Sequence, residues 1–252
     1  MRPLSQSLLL FSVMLLATAA TAASLPDFEA QYRLEQHDVH IGTTTIALQT
    51  DEQGHYLYEF HSRPVRWVSW FADNELRESS GGLISDSGIR PLRYHYERSG
   101  GKQRIARLSF DWQSMSVEND VAGSHWKMDI PPGTHDKLAT QLGMMLALGE
   151  GKDDVTFTVA DGGTLKQYRY HVIGKETLDL PAGTFRTLKV AKLRKDIDQE
   201  TIIWFAPVLH YLPVRIWQRD SDDEEYLSDL EAVSYTHLRA HETLTPISYA
   251  VF

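Results

Sequence analysis

The sequence contains no cysteine among its 252 residues. A disulfide framework, a catalytic thiol and a thiolate metal site are therefore excluded. Positively charged residues are also few: the chain has 25 Lys and Arg residues and 34 Asp and Glu residues, which gives a net charge of -9. This balance argues against nucleic acid or an anionic membrane surface as the main partner.

Residues 1–23 have the pattern of a secretory signal peptide. Arg2 supplies the positive start, and Leu8–Ala17 is an apolar core too short to remain as a membrane anchor. Ala20-Thr21-Ala22 then supplies the small-x-small motif that signal peptidase recognises. No cysteine follows it, which excludes a lipoprotein attachment. We expect a soluble periplasmic protein with no transmembrane segment after signal removal.

The last twenty residues look unrelated to the rest of the chain. Residues 233–243 (VSYTHLRAHET) and 247–252 (ISYAVF) resemble a translated sequencing adapter, residue for residue. We therefore expect residues 233–252 to be a non-native tail and leave its histidines out of every site argument. Residues 24–232 are long enough for one all-β domain, and no linker or repeat divides them.

Apolar and polar residues alternate along most of this domain, which is typical of half-buried strands. The clearest pair consists of two rows on either side of the turn 99–101: Leu92, Tyr94 and Tyr96, then Ala106, Leu108, Phe110 and Trp112. About a dozen such segments predict a single-domain antiparallel β-barrel or a strongly curved open barrel.

One helix is predicted near residues 135–149, in an otherwise all-β chain. Its signal is four apolar residues at helical spacing: Leu138, Leu142, Met145 and Leu146. Thr134 or Asp136 is the expected N-terminal cap, because its side chain can accept a bond from an unpaired amide.

The segment His171–Arg219 has the most regular strand-turn-strand pattern. Pro181-Ala182-Gly183 predicts a tight turn, because proline fixes φ and glycine permits a positive φ. Ile202–Phe205 is apolar on both faces, as in a strand that is covered on both sides. Pro213 cannot donate to a ladder and so predicts an edge or a strand start.

Two stretches of this segment, GKETLDLPAGTFRTLKV and WFAPVLHYLPVRI, resemble an exported bacterial family known as domain of unknown function 3108. The resemblance rests on these residues: Gly174, Glu176, Pro181, Ala182, Gly183, Thr184, Phe185, Trp204, Tyr211, Leu212, Pro213 and Val214. It implies a periplasmic, β-rich domain without an established activity. The W-x-x-P and LPVR ending also resembles, at fold level only, lipoprotein carriers and lipid-binding envelope sensors. We interpret these residues as folding determinants rather than as a site.

Motifs of known catalytic chemistry are absent: the chain has no G-x-S-x-G, H-E-x-x-H, Walker-type loop or G-x-G-x-x-G. His37 and His40 flank a predicted turn, but a zinc site would need a third ligand that the sequence does not identify. We therefore expect no metal and no cofactor, and the sequence argues against an enzyme. A hydrolase assembled from distant residues is the least favoured alternative.

The best candidates for a binding site are Trp67, Trp70 and Phe71, which we call the aromatic flap. It either plugs one end of a filled barrel or forms a lid over an apolar cavity lined by Tyr94, Tyr96, Phe110 and Trp112. A lid predicts a protein that binds lipid or another apolar small molecule. A plug predicts a non-catalytic structural or interaction protein of the envelope. The sequence indicates no particular protein partner.

Overall fold

The computed structural model describes residues 25–66, 68, 75–100, 103–194 and 200–236. The predicted signal peptide and the aromatic flap lie outside these residues. The first eight strands are β1 (Asp27–Gln36), β2 (Val39–Thr50), β3 (His55–Pro64), β4 (Leu76–Ser85), β5 (Gly88–Arg98), β6 (Arg104–Asp111), β7 (Ser116–Val121) and β8 (Ser124–Asp129). The others are β9 (His135–Asp136), β10 (Asp154–Asp161), β11 (Thr164–Leu180), β12 (Gly183–Arg194), β13 (Glu200–Ala206), β14 (Leu212–Arg219) and β15 (Glu225–Thr236), with helix α1 (Ala139–Gly149) between β9 and β10.

All fifteen strands belong to one sheet, in the order β8-β7-β6-β5-β4-β3-β2-β1-β15-β14-β13-β12-β11-β10-β9. Neighbouring strands are antiparallel, as the hairpin patterns predict, except that β9 runs parallel to β10. Strands β8 and β9 form the two edges, so the sheet is an open barrel. The predicted fold class is confirmed, with fifteen strands where the sequence predicts about a dozen.

Trp126 and Gly163 make a contact between the two halves of the sheet, which we call the seam. Trp126 lies on the edge strand β8, and its Nε1 donates to the carbonyl oxygen of Gly163, between β10 and β11, at 3.4 Å. A Cβ atom on Gly163 would lie 2.0 Å from Cζ2 of the Trp126 ring. The indole therefore occupies space that only a glycine leaves, and it holds the first strands of the chain against the later ones.

Helix α1 contacts β5 from one half of the sheet and β9 and β10 from the other. Eight of its eleven residues are buried, and Leu142 and Met144 have no exposed surface. The predicted helix is confirmed, but it begins at Ala139 and is buried almost all round rather than on one face. The reason is that Met144, Ala147 and Leu148 add a second apolar face, which suits a helix packed inside a barrel. No helix among the described residues is long and apolar enough to span a membrane.

The predicted hairpin at Pro181 is confirmed. Leu180 pairs with Gly183 across the two-residue turn, and Gly183 has a φ of 130° that favours glycine. Pro213 is the second residue of β14, which lies between two other strands, so the strand-start alternative holds and the edge alternative is wrong.

Strand β15 continues to Thr236 and therefore includes the first four residues of the predicted non-native tail. These residues pair with β1, and Tyr235 lies opposite Phe28. Ladder hydrogen bonds come from the backbone, so any alternating sequence such as VSYT can extend the strand. The origin of the tail stays a prediction, and residues 237–252 lie outside the described part of the chain.

The seam can be tested with a pair of glycine variants in one turn. Gly162 and Gly163 both have a positive φ (62° and 79°), but a Cβ on Gly162 would meet no atom within 4 Å. Gly162→Ala should cost about 1–2 kcal/mol of unfolding free energy from backbone strain alone. Gly163→Ala should cost clearly more, because the indole of Trp126 must also move.

The measurement is urea unfolding of both variants, alone and combined with Trp126→Ala. Without the indole, the two glycine variants should be equally destabilised. A difference between them that persists in the Trp126→Ala background would show that the seam does not depend on this contact.

Candidate functional site

Of the four row residues predicted to line a cavity, Tyr94 and Tyr96 lie on β5, Phe110 lies on β6, and Trp112 follows the end of β6. Tyr94 and Phe110 are buried in the core, and Tyr96 and Trp112 pack against it. The Tyr94 hydroxyl donates to Glu78 at 2.6 Å, and the Lys137 ammonium lies 5.3 Å from the Tyr96 ring centre. Phe110 stacks on Trp112 at 5.8 Å. The rows are thus in place and already contacted by other side chains, and their role in binding stays a prediction.

A buried polar network joins β4 to the start of α1. Asp136 is fully buried and accepts a hydrogen bond from the Ser80 hydroxyl at 2.6 Å. It also accepts from the amides of Leu138 and Ala139 at 2.9 and 2.7 Å, which confirms it as the cap of the helix. Because Ser80 donates to Asp136, its oxygen is free to accept from the Tyr56 hydroxyl at 2.8 Å. One carboxylate therefore organises two strands and a helix.

Glu78 forms a second branch of this network, two residues before Ser80 on β4. It lies 3.4 Å from the ammonium of Lys137, whose side chain is 35% exposed. Burial lowers the pKa of Lys137, but the charges of Glu78 and Asp161 outweigh burial and raise this pKa above its ordinary value. Lys137 is therefore a cation at the solvent end of the network.

Burial raises the pKa of Asp136 from its ordinary value to about 7. The hydrogen bonds from Ser80, Ala139 and Leu138 act in the opposite direction, and the charge of Glu78 adds to the rise. Desolvation outweighs three donors because the carboxylate has no contact with water.

This network has a serine, a carboxylate and a tyrosine in contact, yet it is unsuited to hydrolysis. Ser80 and Asp136 have no exposed surface, so a substrate cannot reach them. His135 precedes Asp136 on β9, so its side chain points to the other face of the strand. There its Nδ1 contacts the Gly133 carbonyl at 2.8 Å and its ring packs on Phe157. Among the described residues the Ser80 hydroxyl bonds to Asp136 and Tyr56 and to no histidine, and the network is best explained by structural support.

The two histidines that flank the first turn do not converge. His37 and Asp38 form that turn with positive φ angles of 50° and 59°. His37 Nε2 lies 3.6 Å from Glu224, whereas His40 Nε2 contacts the Gly42 carbonyl at 2.9 Å. Within the described ranges, no group of three His, Asp or Glu residues could hold a metal ion.

An open groove lies on the segment that carries the family resemblance, and we call it the hairpin groove. It has a volume of about 630 Å³ and is bounded by β11, β12 and the 3₁₀ turn Pro207–Leu209. Its lining residues are Lys175, Glu176, Thr177, Thr184, Arg186, Thr187, Leu188, Pro207 and Val208. Sequence reasoning missed this groove because it assigned these residues to folding alone.

Charge is distributed unevenly in the hairpin groove. Glu176 accepts from Trp204 Nε1 at 2.8 Å and lies 3.6 Å from Lys189. The bond from Trp204 is the main reason that the pKa of Glu176 is lowered. Lys175 and Arg186, by contrast, have no hydrogen bond or ion pair to any described residue. The feature of the sequence that could have indicated the groove is the presence of two cations on paired strands close to the Pro-Ala-Gly turn.

The raised pKa of Asp136 predicts how stability depends on pH. An unfolded aspartate loses its proton near pH 4, whereas folded Asp136 keeps its proton until about pH 7. The folded state therefore binds more protons between these values, so this residue's contribution to stability falls as pH rises from 4 to 7. The loss is at most about 4 kcal/mol, since one pKa unit corresponds to about 1.4 kcal/mol.

Asp136→Asn should keep the shape of the cap and remove this titration. Compared with the wild type, its free energy of unfolding should fall less between pH 4 and 7. The exposed Asp179→Asn is the matched control and should leave the wild-type pH profile in place. Parallel profiles for wild type and Asp136→Asn would contradict the burial of an ionisable carboxyl here.

Comparison with solved structures supports the fold. A β-barrel-like protein of domain of unknown function DUF1849 from Brucella abortus matches with a TM-score of 0.57 and 8% sequence identity, over 84% of this chain and 99% of that chain. A candidate lipoprotein from Parabacteroides distasonis gives 0.35 and 10% identity, over 84% and 96% of the two chains. A candidate exported protein with a YmcC-like fold from Bacteroides fragilis gives 0.32 and 13%, over 83% and 98%.

The first of these shows a shared fold and no more, because its identity with this chain is low. No curated protein sequence matches the chain. The model of the DUF3108 family, described as a protein of unknown function, matches residues 27–227, and the chain therefore belongs to that family, as the resemblance predicts.

Proposed function

We propose that this chain is an exported, non-catalytic binding protein of the bacterial periplasm that contacts its ligand or partner from the outer surface of a filled barrel. The observation that carries the proposal is helix α1. Its fully buried side chains lie between the two halves of the sheet, where a barrel-type carrier would hold an acyl chain. The export signal in residues 1–23 supports the periplasmic location.

Two sets of interior polar groups support the same proposal. Tyr56, Ser80 and Asp136 bond to one another, and so do Tyr94, Glu78 and Lys137. Groups that bond to one another are not held ready for a ligand. The hairpin groove has an exposed valine and two cations that pair with no described residue, and it is better suited to recognition.

A second candidate function is the binding of an apolar ligand under the aromatic flap. One observation favours it: the Tyr58 hydroxyl is fully buried and has no hydrogen-bond partner in the described part of the chain. An unpaired buried hydroxyl costs about 1–3 kcal/mol, which a polar group on a ligand could recover.

Native mass spectrometry of the protein purified from the periplasm separates the two candidates. For a filled barrel, we expect the mass of the chain alone after gel filtration, with no acyl lipid retained. Retained lipid that is lost in Trp67→Ala/Trp70→Ala would contradict the filled barrel and support the flap. Retained lipid in both proteins would remove the flap from the site. The hairpin-groove variants described below show whether the lipid lies outside.

A further inference from the structure

Two like charges lie side by side in the hairpin groove. Lys175 pairs with Leu188 and Arg186 pairs with Thr177, so the two cations are diagonal neighbours across β11 and β12. Like charges directly opposite one another destabilise a sheet, and diagonal neighbours are still within reach of each other when their side chains are long. Glu176 does not relieve them, because it is engaged by Trp204 and Lys189. An anion bound between Lys175 and Arg186 would remove this repulsion.

These two side chains also supply suitable donors. Arginine offers a planar fork of N–H groups and lysine offers three donors, and both recognise phosphate and carboxylate oxygens. Thr177 is exposed opposite Arg186 and adds a hydroxyl to the same wall. The head group that fits is therefore anionic and rich in oxygen.

Part of the groove lining is apolar. It contains Leu188, Pro207 and Val208, and Val208 is 74% exposed, the highest value for any large hydrophobic side chain in the described ranges. The turn that carries it is closed by a bond from the Tyr211 amide to the Ala206 carbonyl at 2.9 Å. A preformed turn holds Val208 beside the groove at little entropic cost, so covering it with an apolar group is favourable.

The size and the surroundings of the groove agree with a small ligand. A volume of about 630 Å³ is typical of small-molecule sites. A second cavity of about 460 Å³ lies at the hairpin tips. Its lining residues are Glu35, His37, Asp38, Trp217, Asp223, Glu225, Tyr226 and Leu227. Its carboxylates repel an anion, so the two cavities differ in the charge that they accept.

We propose that the hairpin groove binds an amphiphile with an anionic head group. The head lies between Lys175 and Arg186, and the apolar part covers Leu188, Pro207 and Val208. This inference rests on the proposed function, because it names the class of ligand that the outer surface recognises.

The test is isothermal titration calorimetry of the full chain with dodecyl phosphate below its micelle concentration. One equivalent should bind per chain. Inorganic phosphate, which has the head alone, should bind at least about tenfold more weakly, since burying an alkyl chain contributes about 0.8 kcal/mol per CH₂. Dodecyltrimethylammonium, which has the tail with the opposite charge, should also bind at least about tenfold more weakly, because it cannot accept the charged hydrogen bonds.

Variants locate the site. Lys175→Gln and Arg186→Gln should each weaken the binding of dodecyl phosphate about tenfold, which corresponds to the loss of one charge-assisted hydrogen bond. Val208→Ser should weaken the binding of dodecyl phosphate and leave the binding of inorganic phosphate unchanged. Lys127→Gln, an exposed strand lysine on β8, is the matched control and should have no effect. All three groove side chains are exposed, so these variants should fold.

The outcomes separate this inference from the proposed function. Equal binding of the cationic probe, or no effect of both cation variants, overturns the anionic site. If none of the alkyl probes binds, the anionic site is also overturned, but the proposed surface function still stands. Binding that is lost in Trp67→Ala/Trp70→Ala and kept in the groove variants places the ligand inside the barrel, which contradicts both.

Discussion

The fold depends on the burial of one helix between the two halves of a long sheet. Helix α1 packs against β5, β9 and β10, and its Leu142, Met144 and Met145 have almost no exposed surface. Each such side chain contributes about 1.5–3 kcal/mol when it leaves water. The sheet has edges at β8 and β9, and the buried helix and the Trp126–Gly163 seam both link its two halves.

Position relative to this helix decides what each polar group can do. Asp136 caps α1 from inside the sheet, and its carboxyl is therefore paired, dry and unavailable for chemistry. Lys175 and Arg186 lie exposed on the outer part of the β11–β12 hairpin, and neither forms an ion pair with a carboxylate among the described residues. Charged side chains therefore stabilise the fold where they are buried and are available for recognition where they are exposed.

Membership of the DUF3108 family and the shared barrel-like fold describe how the chain is built. A fold alone does not specify an activity, because binding depends on particular side chains grafted onto it. The family signature itself shows this: Glu176 and Thr184 belong to the resemblance and also line the groove.

Local rules in the sequence determined the strands, the Pro181-Ala182 turn and the helix, and they narrowed its cap to Thr134 or Asp136. Alternation, proline and glycine act over a few residues, so they can be read without a structure. Only the tertiary structure decided that Ser80 meets Asp136, that Trp126 needs Gly163 and that Pro207 and Val208 complete the hairpin groove. These contacts join residues between 20 and 60 positions apart, whose meeting depends on how the whole sheet curls.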